Sequence, residues 1–170
     1  MALLISINKS FGVELFAINL LPKYNSTRIM LQNTFFNNYI KPYKDKKNRA
    51  IVVISDAFRY EVAYELNDKL LELGAKSKID YMLGLVPSYT KLGMASLLPN
   101  KNITLVDNSD DILVDDMKTS SIQDRQEILT KECGESLAIK YTELNNMKKS
   151  EWKTLFSGKK VVYIYHDVID

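Results

Sequence analysis

The sequence predicts an α/β domain built on a mostly parallel sheet. Two observations carry this: strand-length apolar runs rich in β-branched residues, and helix-period stretches lying between them. Ala50-Ile-Val-Val-Ile-Ser55 and Lys160–His166 read as strands buried on both faces of such a sheet. A chain of 170 residues, 46% apolar and 26% charged, buries roughly two thirds of its unfolded surface, enough for a core without covalent staples.

Taken in order, the first part of the chain, residues 1–43, reads as a helical extension. Val13, Phe16, Ala17, Leu20 and Leu21 fall at helical spacing up to Pro22. Ser26 or Thr27 can cap a second helix whose apolar face runs through Ile29, Met30, Phe36, Tyr39 and Ile40 to Pro42. The polar stretch 44–49 is the best boundary and reads as a solvated linker, leaving 50–170 as the main domain. After the strand at Ala50–Ser55, Val62, Leu66, Leu70 and Leu73 predict a helix closed by Gly74. Ile79–Val86 is the next strand, closed by Pro87, and Thr90–Leu98 a short helix stopped by Pro99. Short strands follow at Ile103–Val106 and Ile112–Val114, then an amphipathic helix over Ser121–Cys133 and another over Met147–Phe156. Lys160–His166 is the last strand, and it ends within one turn of the final residue. In open α/β sheets chemistry gathers at the carboxyl ends of strands, so this placement predicts a chain cut short on its own active-site edge.

Composition excludes several functions. The net charge of +2 is too balanced to argue for nucleic-acid or membrane binding. One cysteine, Cys133, rules out a disulfide framework or cysteine zinc knuckle within the chain. One histidine, His166, rules out an HExxH site or any site needing two imidazoles from this chain. The amino terminus lacks signal-peptide features, no apolar run reaches the length of a membrane span, and the thiol is free; the three agree on the cytoplasm.

Three strand ends carry polar groups. Asp56 follows the strand Ala50–Ser55, where a rigidly held carboxylate suits either a helix cap or a divalent metal; Arg59 adds a cation one turn on. Ser88 and Thr90 follow Pro87 at a helix start, where a hydroxyl serves as a cap or, beside a metal, as a nucleophile toward phosphorus. Asp56 and Thr90 are 34 residues apart, about one strand–helix–strand unit, so a right-handed crossover can bring them to one edge. At the last strand end, His166 and Asp170 offer a nitrogen and an oxygen donor, or His166 simply hydrogen-bonds at a strand terminus. The acidic stretch 107–116 lacks the glycine and terminal glutamate of an EF-hand, and Lys159 lacks the upstream glycine of a P-loop. Cys133 reads as an inert thiol and the ten tyrosines as packing.

The segments VVISDAFRYEVAYEL, PSYTKLGMASLLP, SIQDRQEIL and KVVYIYHDVID, in this order and spacing, resemble the PglZ family, the phosphatase-like component of BREX phage-defence systems. The resemblance runs from about Asn37 to Asp170. It implies a doubly wound, alkaline-phosphatase-like α/β sheet with a divalent metal, usually zinc, at its carboxyl edge. Carried over residue by residue, it makes Asp56 a metal ligand, Thr90 the nucleophile and a metal ligand, and His166 and Asp170 ligands of the second metal, with Asp167 at a freer position of the motif. Arg59 of SDAFRYE is taken as substrate-binding. Other BREX proteins are the implied partners, and a phosphoester or nucleotide the implied substrate.

The sequence departs from that pattern in one respect. The family's remaining ligands come from a downstream Asp-His pair, and a chain with a single histidine has none. The expectation is therefore a metal-dependent phosphatase or phosphodiesterase domain whose site is incomplete in this chain. The competing expectation is a non-catalytic scaffold within a phage-defence assembly. A flavodoxin-like nucleotide-binding domain has no glycine-rich loop to support it.

Overall fold

A computed structural model describes residues 2–7, 29–45 and 49–168. Its centre is a four-stranded sheet in the order β1-β3-β9-β8, with every neighbouring pair parallel. β1 is Ala2–Ile7, β3 Ala50–Ser55, β8 Ser136–Lys140 and β9 Val161–His166. Each of these runs is too short to bury itself alone, and side-by-side pairing satisfies its backbone groups. An α/β domain with parallel strands is thus what the alternating pattern predicts.

The two runs that carried the prediction are neighbours, and one face of them is fully sealed. On that face Ala50, Val52 and Ile54 of β3 meet Val161, Tyr163 and Tyr165 of β9, all at most 4% exposed. On the opposite face Ser55 and Val162 are buried, while Ile51, Val53, Ile164 and His166 are half-buried.

Several helices close the sealed face. These are α3 (Thr90–Ser96), α4 (Ile122–Glu132) and a helical run made of a 3₁₀ turn at Gln32–Thr34, a π turn at Phe36–Ile40 and α1 at Lys41–Asp45. Phe35, Phe36, Ile40, Leu92, Ala95, Leu97, Leu98, Ile128 and Leu129 interlock there with the strands. Tyr163 Oη donates to the carbonyl of Leu97 at 2.7 Å and ties the end of α3 to β9. α4 begins with a capping box: Asp124 N–H donates to Ser121 Oγ, and the Asp124 carboxylate accepts from Ser121 N–H at 2.8 Å. These backbone and hydroxyl bonds hold the Asp124 carboxyl below its ordinary pKa.

Departures from the sequence-based elements have local reasons. Ala2–Ile7 is a strand of the main sheet, so the helical reading of 1–43 gives way there to parallel pairing with β3. The spacing from Val13 to Pro22 lies outside the described residues. Pro42 does not stop the following helix. It has no N–H to return to Asn38, and the chain passes it by widening to a π turn at Phe36–Ile40 before α1. Of the polar residues read as a linker, Lys44, inside α1, reaches the carbonyl and carboxylate of Glu132 through Nζ, and Arg49 Nε reaches the carbonyl of Lys159.

The helix after β3 is α2 (Tyr60–Glu72), with Gly74 at φ +77 as its terminator, as predicted. Of its predicted apolar stripe Leu66 and Leu70 are half-buried and Val62 and Leu73 exposed, and Ala63 is its one buried residue. The predicted strand Ile79–Val86 contracts to β4, Met82–Leu83, which pairs in parallel with β2, Met30–Leu31, and not with the main sheet. Asp80 and Tyr81 are exposed, and Asp80 is held by Lys78 and Tyr39 instead of a ladder. A small antiparallel sheet holds β5 (Ile103–Leu105), β6 (Ile112–Val114) and β7 (Met117–Lys118). α5 (Tyr141–Asn145) and α6 (Lys149–Leu155) lead into β9. No helix among the described residues is long and apolar enough to cross a membrane.

Candidate functional site

The register of β3 against β9 sets one end of the site. Ser55 is paired with His166, so both side chains leave the sheet on the same face at its carboxyl edge. Ser55 is buried, and its Oγ lies 2.9 Å from His166 Nδ1. The Tyr141 ring, at the start of α5, meets the imidazole edge-on with centroids 4.7 Å apart. Asp56 N–H continues the ladder by donating to the His166 carbonyl at 3.0 Å. The half-buried Asp56 carboxylate therefore stands one residue beyond the paired ends.

Past Asp56 the chain turns sharply. Ala57 has φ 55, a left-handed conformation costly for a residue with a Cβ, and its N–H donates to Asp56 Oδ1 at 3.1 Å. The bond occupies one carboxylate oxygen, and among the described residues no hydrogen bond reaches Oδ2. Arg59 caps α2 by backbone alone and is exposed.

Thr90 is the first residue of α3, and its side chain is exposed. The cap is Tyr89, with no side-chain bond, so neither Ser88 nor Thr90 serves as the N-cap. Among the described residues no hydrogen bond or ion pair joins Thr90 to Asp56 or His166. The crossover expected to bring Asp56 and Thr90 to one sheet edge is not formed, because β4, the strand before α3, belongs to a separate sheet with β2. α3 joins the main sheet instead by packing, through Leu92, Ala95 and the Leu97–Tyr163 bond.

Asp56 and His166 are thus brought to one edge, Thr90 stands at the head of a helix packed on the same core, and Asp170 lies outside the described residues. Zinc takes carboxylate oxygen and imidazole nitrogen, so Asp56 and His166 fit such an ion in kind. They do not fit it in number: among the described residues no three His, Cys, Asp or Glu side chains group closely enough to hold a metal. A separate groove of about 530 Å³, bordered by Lys41, Lys101, Lys131, Asp115 and Asp116, contains none of the predicted site residues. Its Asp115 is already occupied by the N–H groups of Lys101 and Asn102.

Ser55 and Tyr141 are the members of this edge that sequence reasoning misses. Ser55 was legible in principle: once the two strands are aligned from their apolar runs, it falls opposite His166. Tyr141 carries no such signal.

Parallel strands that deliver Asp56, Ser55 and His166 to a shared carboxyl edge define an α/β domain of the kind that places its chemistry at strand ends. The family described as the BREX system PglZ alkaline phosphatase-like domain matches residues 35–170, and the chain belongs to it. It is 48% identical over 140 residues to the alkaline phosphatase-like protein PglZ of Bacillus cereus (strain H3081.97), covering 82% of this chain and 16% of that protein. It is 36% identical over 171 residues to the alkaline phosphatase-like protein BrxZ of Escherichia coli O9:H4 (strain HS), covering 98% of this chain and 20% of that protein. The chain therefore spans a fifth or less of the length of these relatives. No solved structure matches it significantly.

Proposed function

We propose that the chain is the amino-terminal share of a doubly wound, alkaline-phosphatase-like domain, in intact form a metal-dependent phosphatase or phosphodiesterase of a cytoplasmic BREX phage-defence system. The observation that carries this is the aligned ends of β3 and β9, which hold Asp56 and His166 on one edge within a chain matched to the family over residues 35–170. In this reading Asp56 and Thr90 are donors to one divalent ion and His166 and Asp170 to a second, zinc by their chemistry, with further ligands supplied from beyond the described residues. When bound, such an ion neutralises phosphoryl charge and acidifies a bound hydroxyl. Thr90 Oγ attacks phosphorus and displaces the ester alcohol, which leaves with the proton Thr90 gives up; water then hydrolyses the phosphothreonine to free Thr90 and the phosphate product, and Arg59 binds a phosphate oxygen. The exposed, uncapped position of Thr90 supports that role.

The test uses a protein of the relatives' length carrying this segment, with p-nitrophenyl phosphate and bis(p-nitrophenyl) phosphate as probes and zinc added or chelated. Metal-dependent turnover is expected, with kcat lowered about 10³-fold or more by Thr90→Ala, the scale of losing a nucleophile. The 170-residue chain alone is expected to show none. Turnover that survives Thr90→Ala would overturn the assignment of the nucleophile.

The alternative, a non-catalytic scaffold among BREX proteins, is favoured by the shortage of clustered ligands among the described residues. It requires phage resistance to persist when Asp56→Ala and Thr90→Ala are both placed in the longer protein.

A further inference from the structure

We infer that Ser55 is a positioning residue for His166: by occupying Nδ1 it leaves Nε2 as the one ring nitrogen that His166 can offer to a metal or substrate. The inference rests on the reading of His166 as a donor and adds to it which atom donates and what holds it.

The geometry behind it is local and fixed on three sides. The Ser55 and His166 backbones are register partners in adjacent parallel strands, which fixes their Cα positions side by side and starts both side chains on the same face. Oγ and Nδ1 stand 2.9 Å apart, and Ser55 is 6% exposed, so water does not compete freely for that bond. Tyr141 packs edge-on against the ring and restricts its rotation. A hydroxyl both donates and accepts. It can therefore give its proton to a bare Nδ1, or accept Nδ1–H once Nε2 is committed to a ligand. Partners on the second nitrogen set the tautomer and orientation of ligating histidines, and losing them typically weakens metal binding about 10- to 100-fold.

His166 is the sole histidine of the chain, so its imidazole can be observed without ambiguity. The experiment records long-range ¹H–¹⁵N spectra of the 170-residue chain at a pH where the ring is neutral, first metal-free and then during titration with zinc. The metal-free ring is expected to show one dominant tautomer with Nδ1 hydrogen-bonded, and zinc to move the Nε2 signal while Nδ1 stays in its bond. Ser55→Ala is expected to remove the hydrogen-bond signature at Nδ1 and to weaken zinc binding about 10- to 100-fold. Ser55→Thr, which keeps the hydroxyl, is expected to restore the wild-type pattern, and it keeps the test decisive if the alanine variant fails to fold. Coordination through Nδ1, or a Ser55→Ala spectrum and zinc response identical to wild type, would overturn the inference. A locked metal-free ring with no zinc response at either nitrogen would uphold the role of Ser55 and instead sink the reading of His166 as a metal donor.

Discussion

Tyr163 and Tyr165, two residues apart on β9, bury the same hydroxyl under opposite terms. Tyr163 donates to the Leu97 carbonyl, and burial pushes its phenol well above the ordinary range, so it stays a donor at any working pH. Tyr165 is equally enclosed, with its ring beneath the Arg125 guanidinium 4.8 Å away; among the described residues no hydrogen bond of good geometry reaches its hydroxyl, and burial pushes its pKa up with the nearby Arg125 only partly offsetting that. A lost buried bond costs about 1–3 kcal/mol, whereas removing an unpartnered polar atom relieves a desolvation cost. Tyr163→Phe is therefore expected to lower unfolding free energy by about that amount, and Tyr165→Phe to leave it unchanged or raise it. Urea denaturation of both variants checks this; equal losses would contradict it. At this scale the sequence says only part of what matters. Reading all tyrosines as packing holds for these two and fails for Tyr64 and Tyr81, which are exposed. A ring with a polar tip suits core and surface alike, and periodicity cannot separate the two.

Among the elements, β3, β9 and α4 were legible because each signal is local: a continuous β-branched run in the strands, an amphipathic stretch opened by Ser121 in the helix. β8 was missed because Ser136-Leu-Ala-Ile-Lys140 holds a single β-branched residue and no alternation. It is a strand because tertiary contacts make it one. β9 pairs with one side, and on the other the Gln126 side chain of α4 takes the place of a neighbouring strand. Its Oε1 accepts from Ala138 N–H at 2.6 Å, and its Nε2 lies 3.4 Å from the Ser136 carbonyl. Nε2 also donates to Thr130 Oγ1 at 2.7 Å, which fixes the amide in position. Gln126→Ala removes these partners from an edge strand and is expected to destabilise the domain by about 1–3 kcal/mol. It should also speed hydrogen exchange at Ala138 before any change at the β3–β9 pair. Unchanged protection of Ala138 would show that the amide does not seal this edge.

For the whole molecule, pattern reasoning finds the class of sheet but not how its pieces are distributed. The crossover that was to join Asp56 to Thr90 assumed that consecutive strands share one sheet; β4 instead pairs with β2, a segment more than fifty residues earlier in the chain. Such a pairing leaves no mark in local spacing. The Ala2–Ile7 strand was likewise hidden, since an apolar run beside β3 becomes a strand only when β3 is there to pair with. The candidate site shows the same division. The residue types at Asp56 and His166 were readable from strand ends, while the Ser55 and Tyr141 contacts depend on register and on where α5 lies. The central claim is that Asp56 and Thr90 converge on one cation in the longer protein, with His166 donating to a second at the same edge. Anomalous diffraction at the zinc edge, from crystals of a protein of the relatives' length carrying this segment, tests it most directly. The account predicts an ion about 2 Å from the Asp56 carboxylate with Thr90 Oγ beside it, and a second about 2 Å from His166 Nε2. A bound ion remote from both donors, or Thr90 on the opposite side of the sheet from it, would contradict the account.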